Sequence, residues 1–361
     1  MNFITKYDIR IKGDYADAFV GMNSGNGFVC LFDDIFQECD LQKVYVIKGA
    51  PGTGKSTFMR ELSNFAKSCG FCVNNYLCSS DYNSLDAVMI DSKICVVDGT
   101  PPHSYELKFP GVVSEIIDYT KFWDNSKLEK YRDDIIYLSN KKTLAYTEAY
   151  SKLKCEMNLI ADRINSAQNI ISVEKLRSHI GRLVASLGKF NNNDKQRRIA
   201  TRAVGMKGRV RIENPFDQYE KVYSISDVYG TAYIYMAELF KQLKLLKTEM
   251  VYSVDPICPT LICEIAIPSQ KVVFTIEDDD NYNKKINMTR FIEHDSLADL
   301  RGFLRLSDKC CKLFSSEADN SLQIAGETHF KIEEIYGSAM NFDFLKTYSE
   351  MKIHEIIEKL Q

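Results

Sequence analysis

Val44-Tyr45-Val46-Ile47-Lys48-Gly49-Ala50-Pro51-Gly52-Thr53-Gly54-Lys55-Ser56-Thr57 is the stretch that decides the fold. Its first four residues are apolar and mostly β-branched, the composition of a strand buried on both faces of a parallel sheet. Residues 49–56 match the spacing G-x-x-x-x-G-K-[ST] in full. Beyond them Phe58, Leu62, Phe65 and Ala66 fall on one helix face, and Gly70 is placed to end that helix. The glycines let successive backbone N–H groups turn inward as an anion nest, and the helix N-terminus adds positive potential. Strand, glycine loop and helix in this order predict an α/β fold.

The chemistry such a loop serves is the binding of a nucleoside triphosphate, taken here as ATP, with Mg2+. Gly49, Ala50, Pro51, Gly52, Thr53 and Gly54 are expected to wrap the phosphates. Lys55 is expected to reach the β- and γ-phosphates, Ser56 to offer its hydroxyl to magnesium, and Thr57 to extend the first helical turn. A second strand is expected over residues 72–78, leading to Asp81. A third, Ile94-Cys95-Val96-Val97-Asp98, ends in a carboxylate placed to hold magnesium. Gly99 and Thr100 follow Asp98, where a water-activating glutamate would otherwise stand. Asp81 is therefore the preferred base, with Asp86 and His103 as the other candidates. Asp81 and Asp86 equally suit a capping role, and Pro101 and Pro102 fix the loop that carries His103.

The chain also matches itself. Gln42-Lys43-Val44-Tyr45-Val46-Ile47 falls on Glu220-Lys221-Val222-Tyr223-Ser224-Ile225, and at that register Gly52-Thr53 falls on Gly230-Thr231, Lys55 on Tyr233 and Ser56 on Ile234. Val20-Gly21-Met22 has its counterpart in Val204-Gly205-Met206, Ser80-Asp81 in Val254-Asp255, and Val96-Val97 in Val272-Val273. The second loop has lost its phosphate ligands, and Asp227 at the first glycine position repels phosphate. Its expected roles are scaffolding, binding a protein partner, or completing the first site. The domains expected are a nucleotide-binding unit over 1–125, a helical insertion over 126–190, and a degenerate copy with C-terminal helices over 191–361.

The remaining features mostly have ordinary readings. The basic stretch 195–211, with Arg202, Lys207, Arg209 and Arg211, reads as a solvated surface, the sharper alternative being an arginine near the γ-phosphate. His329 and Glu333 share a helix face, with no third metal ligand in view. Cys69 and Cys72 read as packed thiols, since no second pair completes a zinc site. The 361 residues carry a formal charge of -3, so no general attraction for nucleic acid is expected. Eleven scattered cysteines, no export signal and no apolar run of spanning length lead to the expectation of a reduced, cytoplasmic chain without membrane contact.

Residues 49–57, Cys78-Ser79-Ser80-Asp81, Ser84-Leu85-Asp86 and Asp98-Gly99-Thr100 through His103 together resemble a little-characterised bacterial family of tandem P-loop ATP-binding proteins, common in Gram-positive spore-formers. The resemblance runs over nearly the whole chain, including 329–342. It implies a P-loop NTPase fold built in tandem, here with an eroded second copy, and an ATPase or nucleotide-kinase-like activity. Three functions follow as expectations: slow Mg2+-dependent ATP hydrolysis at the N-terminal loop, phosphoryl transfer to a small molecule or nucleotide, or ATP sensing without turnover.

Overall fold

The computed structural model describes residues 7–12, 17–35, 41–101, 105–190, 192–213, 219, 221–277 and 284–360. His103 lies outside the described residues. The first half runs β1 (Ile9–Lys12), β2 (Ala18–Phe19), a hairpin of β3 (Gly21–Ser24) and β4 (Gly27–Cys30), α1 (Phe32–Ile35), β5 (Lys43–Lys48), α2 (Lys55–Ser68), β6 (Val73–Leu77), β7 (Leu85–Ile90), β8 (Ile94–Asp98) and β9 (Ser114–Asp118). An arm of α3 (Asn125–Lys130), α4 (Arg132–Gln168) and α5 (Val173–Ser186) follows. The second half repeats this order with β10 (Gln196–Ile199), the hairpin β11 (Arg202–Gly205) and β12 (Gly208–Glu213), β13 (Lys221–Ser226), α6 (Thr231–Leu245), β14 (Met250–Val254), β15 (Ile262–Ile267), β16 (Val272–Ile276) and β17 (Lys284–Asn287). Its own arm is α7 (His294–Ala339) and α8 (Phe342–Glu358).

The two main sheets share one topology. Among the described residues the first has the order β2-β6-β7-β8-β5-β9 and the second β10-β14-β15-β16-β13-β17. In each, only the third strand runs antiparallel to its neighbours, and both carry an irregularity near the end of the second strand, at Tyr76/Leu77 and at Ser253/Val254. The inner residues of β5 and β8 are buried, as continuous apolar strands require. No described helix is long and apolar enough to cross a membrane.

What the sequence did not disclose is the exchange of arms. α8, from the second half, packs on α2, and its Leu345, Ile353, Ile356 and Ile357 complete the core of the first sheet. α5, from the first half, packs on α6, and its Leu176, Ile180 and Val184 complete the core of the second. Each buried aliphatic side chain is worth about 1.5–3 kcal/mol, so neither sheet has a full core without the other half's arm. α4 and α7 run antiparallel, with Lys152 Nζ donating to Ser321 Oγ (2.7 Å) and Arg163 reaching Cys311 (2.8 Å) further along.

The contacts between the halves are reciprocal, the mark of a two-fold relation. Trp123 bridges Met340 as Ile292 bridges Ile171. Gly25 N–H donates to Ile257 C=O (3.0 Å) as Met206 N–H donates to Ser80 C=O (2.8 Å). Gly25 lies against Met157 as Gly326 lies against Met206. Matching residues also meet each other, Phe19 N–H donating to Ala200 C=O (2.8 Å). The hairpins correspond with Gly21 on Arg202, so Met206 stands in a hairpin turn and is not the counterpart of Met22.

Two expectations about side-chain exposure change. Arg202, Arg209 and Arg211 are buried, not solvated. Glu264 pairs with Arg211 (2.7 Å) and Arg202 (3.5 Å), and Arg209 pairs with Glu156 (3.1 Å) and Asp319 (3.2 Å). Burial alone would raise the Glu264 pKa, but the two guanidinia hold it below the usual carboxylate range. Cys69 and Cys72 are exposed, because helix α2 ends at Ser68 and the pair falls in the turn before β6.

Candidate functional site

The loop after β5 is shaped by two left-handed residues, Gly52 (φ 73°) and Gly54 (φ 90°), the second being the residue before α2. A side chain at Gly52 is doubly excluded, since its Cβ would lie 2.5 Å from the Glu333 carbonyl oxygen on α7. Thr53 Oγ1 donates to Ala50 C=O (2.8 Å) and closes the loop. The Lys55 side chain is buried, and its Nζ donates to Ala50 C=O (2.7 Å) and Gly49 C=O (3.3 Å) while standing 3.6 Å from Asp98 Oδ2. Asp98 Oδ1 accepts from Thr100 N–H (2.8 Å), and Thr100 Oγ1 donates to Gly49 C=O (2.9 Å). The end of β8 is thus tied to the start of the loop. Ser56 Oγ accepts from Leu85 N–H (2.9 Å).

A cavity of about 780 Å³ opens on this loop. Loop residues 51–57, Asp81, Asp86 and Asp98 form one side, and Lys142, Thr143 and Tyr146 of α4 another. The second half closes it with Met206 from its hairpin turn and with His329 and Glu333 of α7. Lys55, Ser56, Asp81 and Asp98 are thereby brought together on one cavity. Ser56 and Asp98 offer hard oxygen donors, the kind Mg2+ selects when phosphates supply the remaining ligands. Asp81 is heavily engaged: its Oδ1 accepts from Lys207 Nζ (2.7 Å) and Asn83 N–H (3.2 Å), its Oδ2 from Ser84 Oγ (3.3 Å). His329 Nε2 lies 3.4 Å from Glu333 Oε1.

Lys142 escaped the sequence reading, since nothing separates it there from other helix lysines. Burial, and secondarily the Lys55 charge, lowers its pKa against the opposing pull of Glu333. Cys78, at the end of β6, is buried and its thiol pushed up, so it stays a neutral wall group.

The matching place in the second half is built differently. Buried positions pair Phe58 with Tyr235, Met59 with Met236, Leu62 with Leu239 and Ala66 with Leu243, while β5 and β13 pair Val44 with Val222. Between strand and helix the second loop is therefore one residue shorter. Gly52-Thr53 still falls on Gly230-Thr231, Thr231 Oγ1 donating to Val228 C=O (2.7 Å) as Thr53 does to Ala50, but Gly54 has no counterpart. Lys55 consequently falls on Ala232 and Ser56 on Tyr233, a correction of one position. Matching turn hydrogen bonds place Asp81 on Cys258 and Cys78 on Asp255, so Asp255 is not the Asp81 equivalent. Asp98 falls on Ile276. Asp227, at the Gly49 position, turns its carboxylate into the nest and accepts from Gly230 N–H (2.9 Å) and Ala232 N–H (2.9 Å).

No protein-family model matches this chain, and neither the curated proteins nor the solved structures give a significant match.

Proposed function

We propose that the chain is a tandemly duplicated P-loop NTPase with one working site, binding ATP with Mg2+ at residues 49–57 and hydrolysing it slowly. The observation that carries this reading is the pairing of an N–H-lined loop and the buried Lys55 with Asp98 at the mouth of a large cavity. The Lys55 ammonium is held by loop carbonyls at 2.7 and 3.3 Å, contacts that an anion can replace. Ser56 and Asp98 would hold magnesium, which supplies charge against the phosphate oxygens. Lys55 would stabilise the charge that grows on the transferring γ-phosphoryl group. Asp81, oriented by Lys207 and its own turn, would position the attacking water.

The chain's second half is then a working part of the first site through Met206, Lys207 and the α7 helix, its own loop being closed to anions by Asp227. A cytoplasmic setting suits the ten described cysteines, none of which is in a disulfide among the described residues. A second reading, transfer to a small acceptor, is favoured by the hydroxyl groups of Ser139, Thr143 and Thr147 on the α4 wall. Purified protein incubated with γ-labelled ATP should release label in a Mg2+-dependent manner, and Lys55→Ala should remove at least ~99% of that release. Label transferred to a metabolite faster than to water would select the second reading. No release, and no transfer, would overturn both.

A further inference from the structure

We propose that Lys142 is the group by which this site tells a nucleoside triphosphate from a diphosphate, binding the terminal phosphate from the α4 side. The inference rests on reading residues 49–57 as a nucleotide site and adds how that site senses its ligand.

Three observations carry it. Lys142 lines the same cavity as Lys55, Ser56 and Asp98, on the wall facing the loop. It is half-buried there, yet among the described residues it makes no hydrogen bond and no ion pair within 4 Å, whereas Lys55, Lys152 and Lys207 each have both. A lysine on a helix ordinarily extends its ammonium into water or onto a carboxylate. One kept half out of water, near a second ammonium, is in an arrangement that costs free energy until an anion arrives. Lys55 and Glu333 are the charged groups acting on it, with opposite effects.

The third observation is internal to the molecule. The reciprocal bridges place Trp123 on Ile292 and Ile171 on Met340, and in that register Lys142 falls on Cys311 and Glu333 on Ile164. The half whose loop lacks counterparts to Lys55, Ser56 and Asp98 also lacks the Lys142 cation. Cys311 accepts a hydrogen bond from Arg163 and faces no phosphate loop with an open nest. A lysine needed only for helix packing or solubility has no reason to follow the phosphate ligands in this way. In the triphosphate complex Lys142 Nζ donates to the γ-phosphate; with the diphosphate it is left to its weaker attraction for Glu333 across the α4–α7 contact. The state of the nucleotide is thereby felt by the two longest helices of the fold.

The test is calorimetric titration of the full chain with Mg2+ and either ADP or a non-hydrolysable triphosphate analogue. Wild type should bind the analogue more tightly than ADP by about tenfold or more, the worth of one charge-assisted hydrogen bond. Lys142→Met should bring the two affinities within about twofold while leaving that for ADP unchanged, and Lys142→Arg should restore most of the ratio. Lys142→Gln gives the same readout should the Met variant fold poorly. Lys141→Met, at the exposed neighbouring position, should keep the wild-type ratio. A wild-type ratio in Lys142→Met and Lys142→Gln, or an equal loss for both nucleotides, would overturn the assignment with the nucleotide site intact. Uptake of neither nucleotide by wild type would overturn the site itself.

Discussion

The loop after β5 and the loop after β13 are similar turns furnished in opposite ways. Both follow a buried parallel strand, both place a left-handed glycine before a threonine that closes the turn, and both lie beneath a helix of the other half's arm, α7 over Gly52 and α4 over Gly230. In the first, Gly49 leaves the nest without a side chain, and the lysine at the helix start is held by carbonyls. In the second, Asp227 supplies the anion from within, and the amides of Gly230 and Ala232 are satisfied permanently. An N–H-lined turn of this kind can therefore stand as structure when a side-chain carboxylate satisfies its amides from within. The second half then contributes elsewhere: its hairpin turn and α7 wall the first cavity, and α8 fills the first core.

Substitutions at matched positions break this comparison in graded ways. Gly52→Ala should be the most damaging, destabilising the chain by about 3 kcal/mol or more, because it adds left-handed strain and drives a Cβ into the α7 backbone. Asp227→Ala should cost about 2–4 kcal/mol by leaving two buried N–H groups without an acceptor. Gly230→Ala should cost only about 1–2 kcal/mol, since its Cβ would meet the movable Ile164 side chain at 3.0 Å. Urea unfolding of the three variants checks the order. Equal costs at Gly52 and Gly230 would contradict the clamping of the first loop by α7.

The smallest effect concerns pH. Burial raises the Asp227 pKa against the N–H bonds it accepts and the charge of Arg163. A raised folded-state value means that the native state holds this proton longer than the unfolded chain. The stability linked to it is full below the ordinary carboxylate value and is lost as pH rises through the raised one. The unfolding free energy of wild type relative to Asp227→Asn should fall from acidic toward neutral pH. A difference that rises with pH would show that the N–H bonds and Arg163 outweigh burial and lower the pKa instead.

The sequence carried the local half of this picture. The runs ending at Ile47 and Asp98 are too apolar to be anything but buried strands, and the glycines between Gly49 and Lys55 imply the turn that is found. The single-residue shortening of the second loop was not legible, because Gly230-Thr231 aligns equally well before the deletion and the slip shows only in which α6 residues are buried. The exchange of arms was not legible either. A helix such as α8 has one apolar stripe whichever sheet it covers, and only tertiary packing chooses α2 over α6. The burial of Arg202, Arg209 and Arg211 depended on partners at Glu264, Glu156 and Asp319, all more than fifty residues away. Lys142 is recognisable only against Cys311, a match that needs the two-fold relation.

The central claim is that one of two equivalent turns has kept an open place for a polyphosphate. Calorimetric titration of ATP with Mg2+ into wild type and Lys55→Ala tests it most directly. The expected result is one molecule bound per chain by wild type and a loss of affinity of at least ~100-fold in the variant. Two molecules per chain, or equal uptake by both proteins, would contradict it.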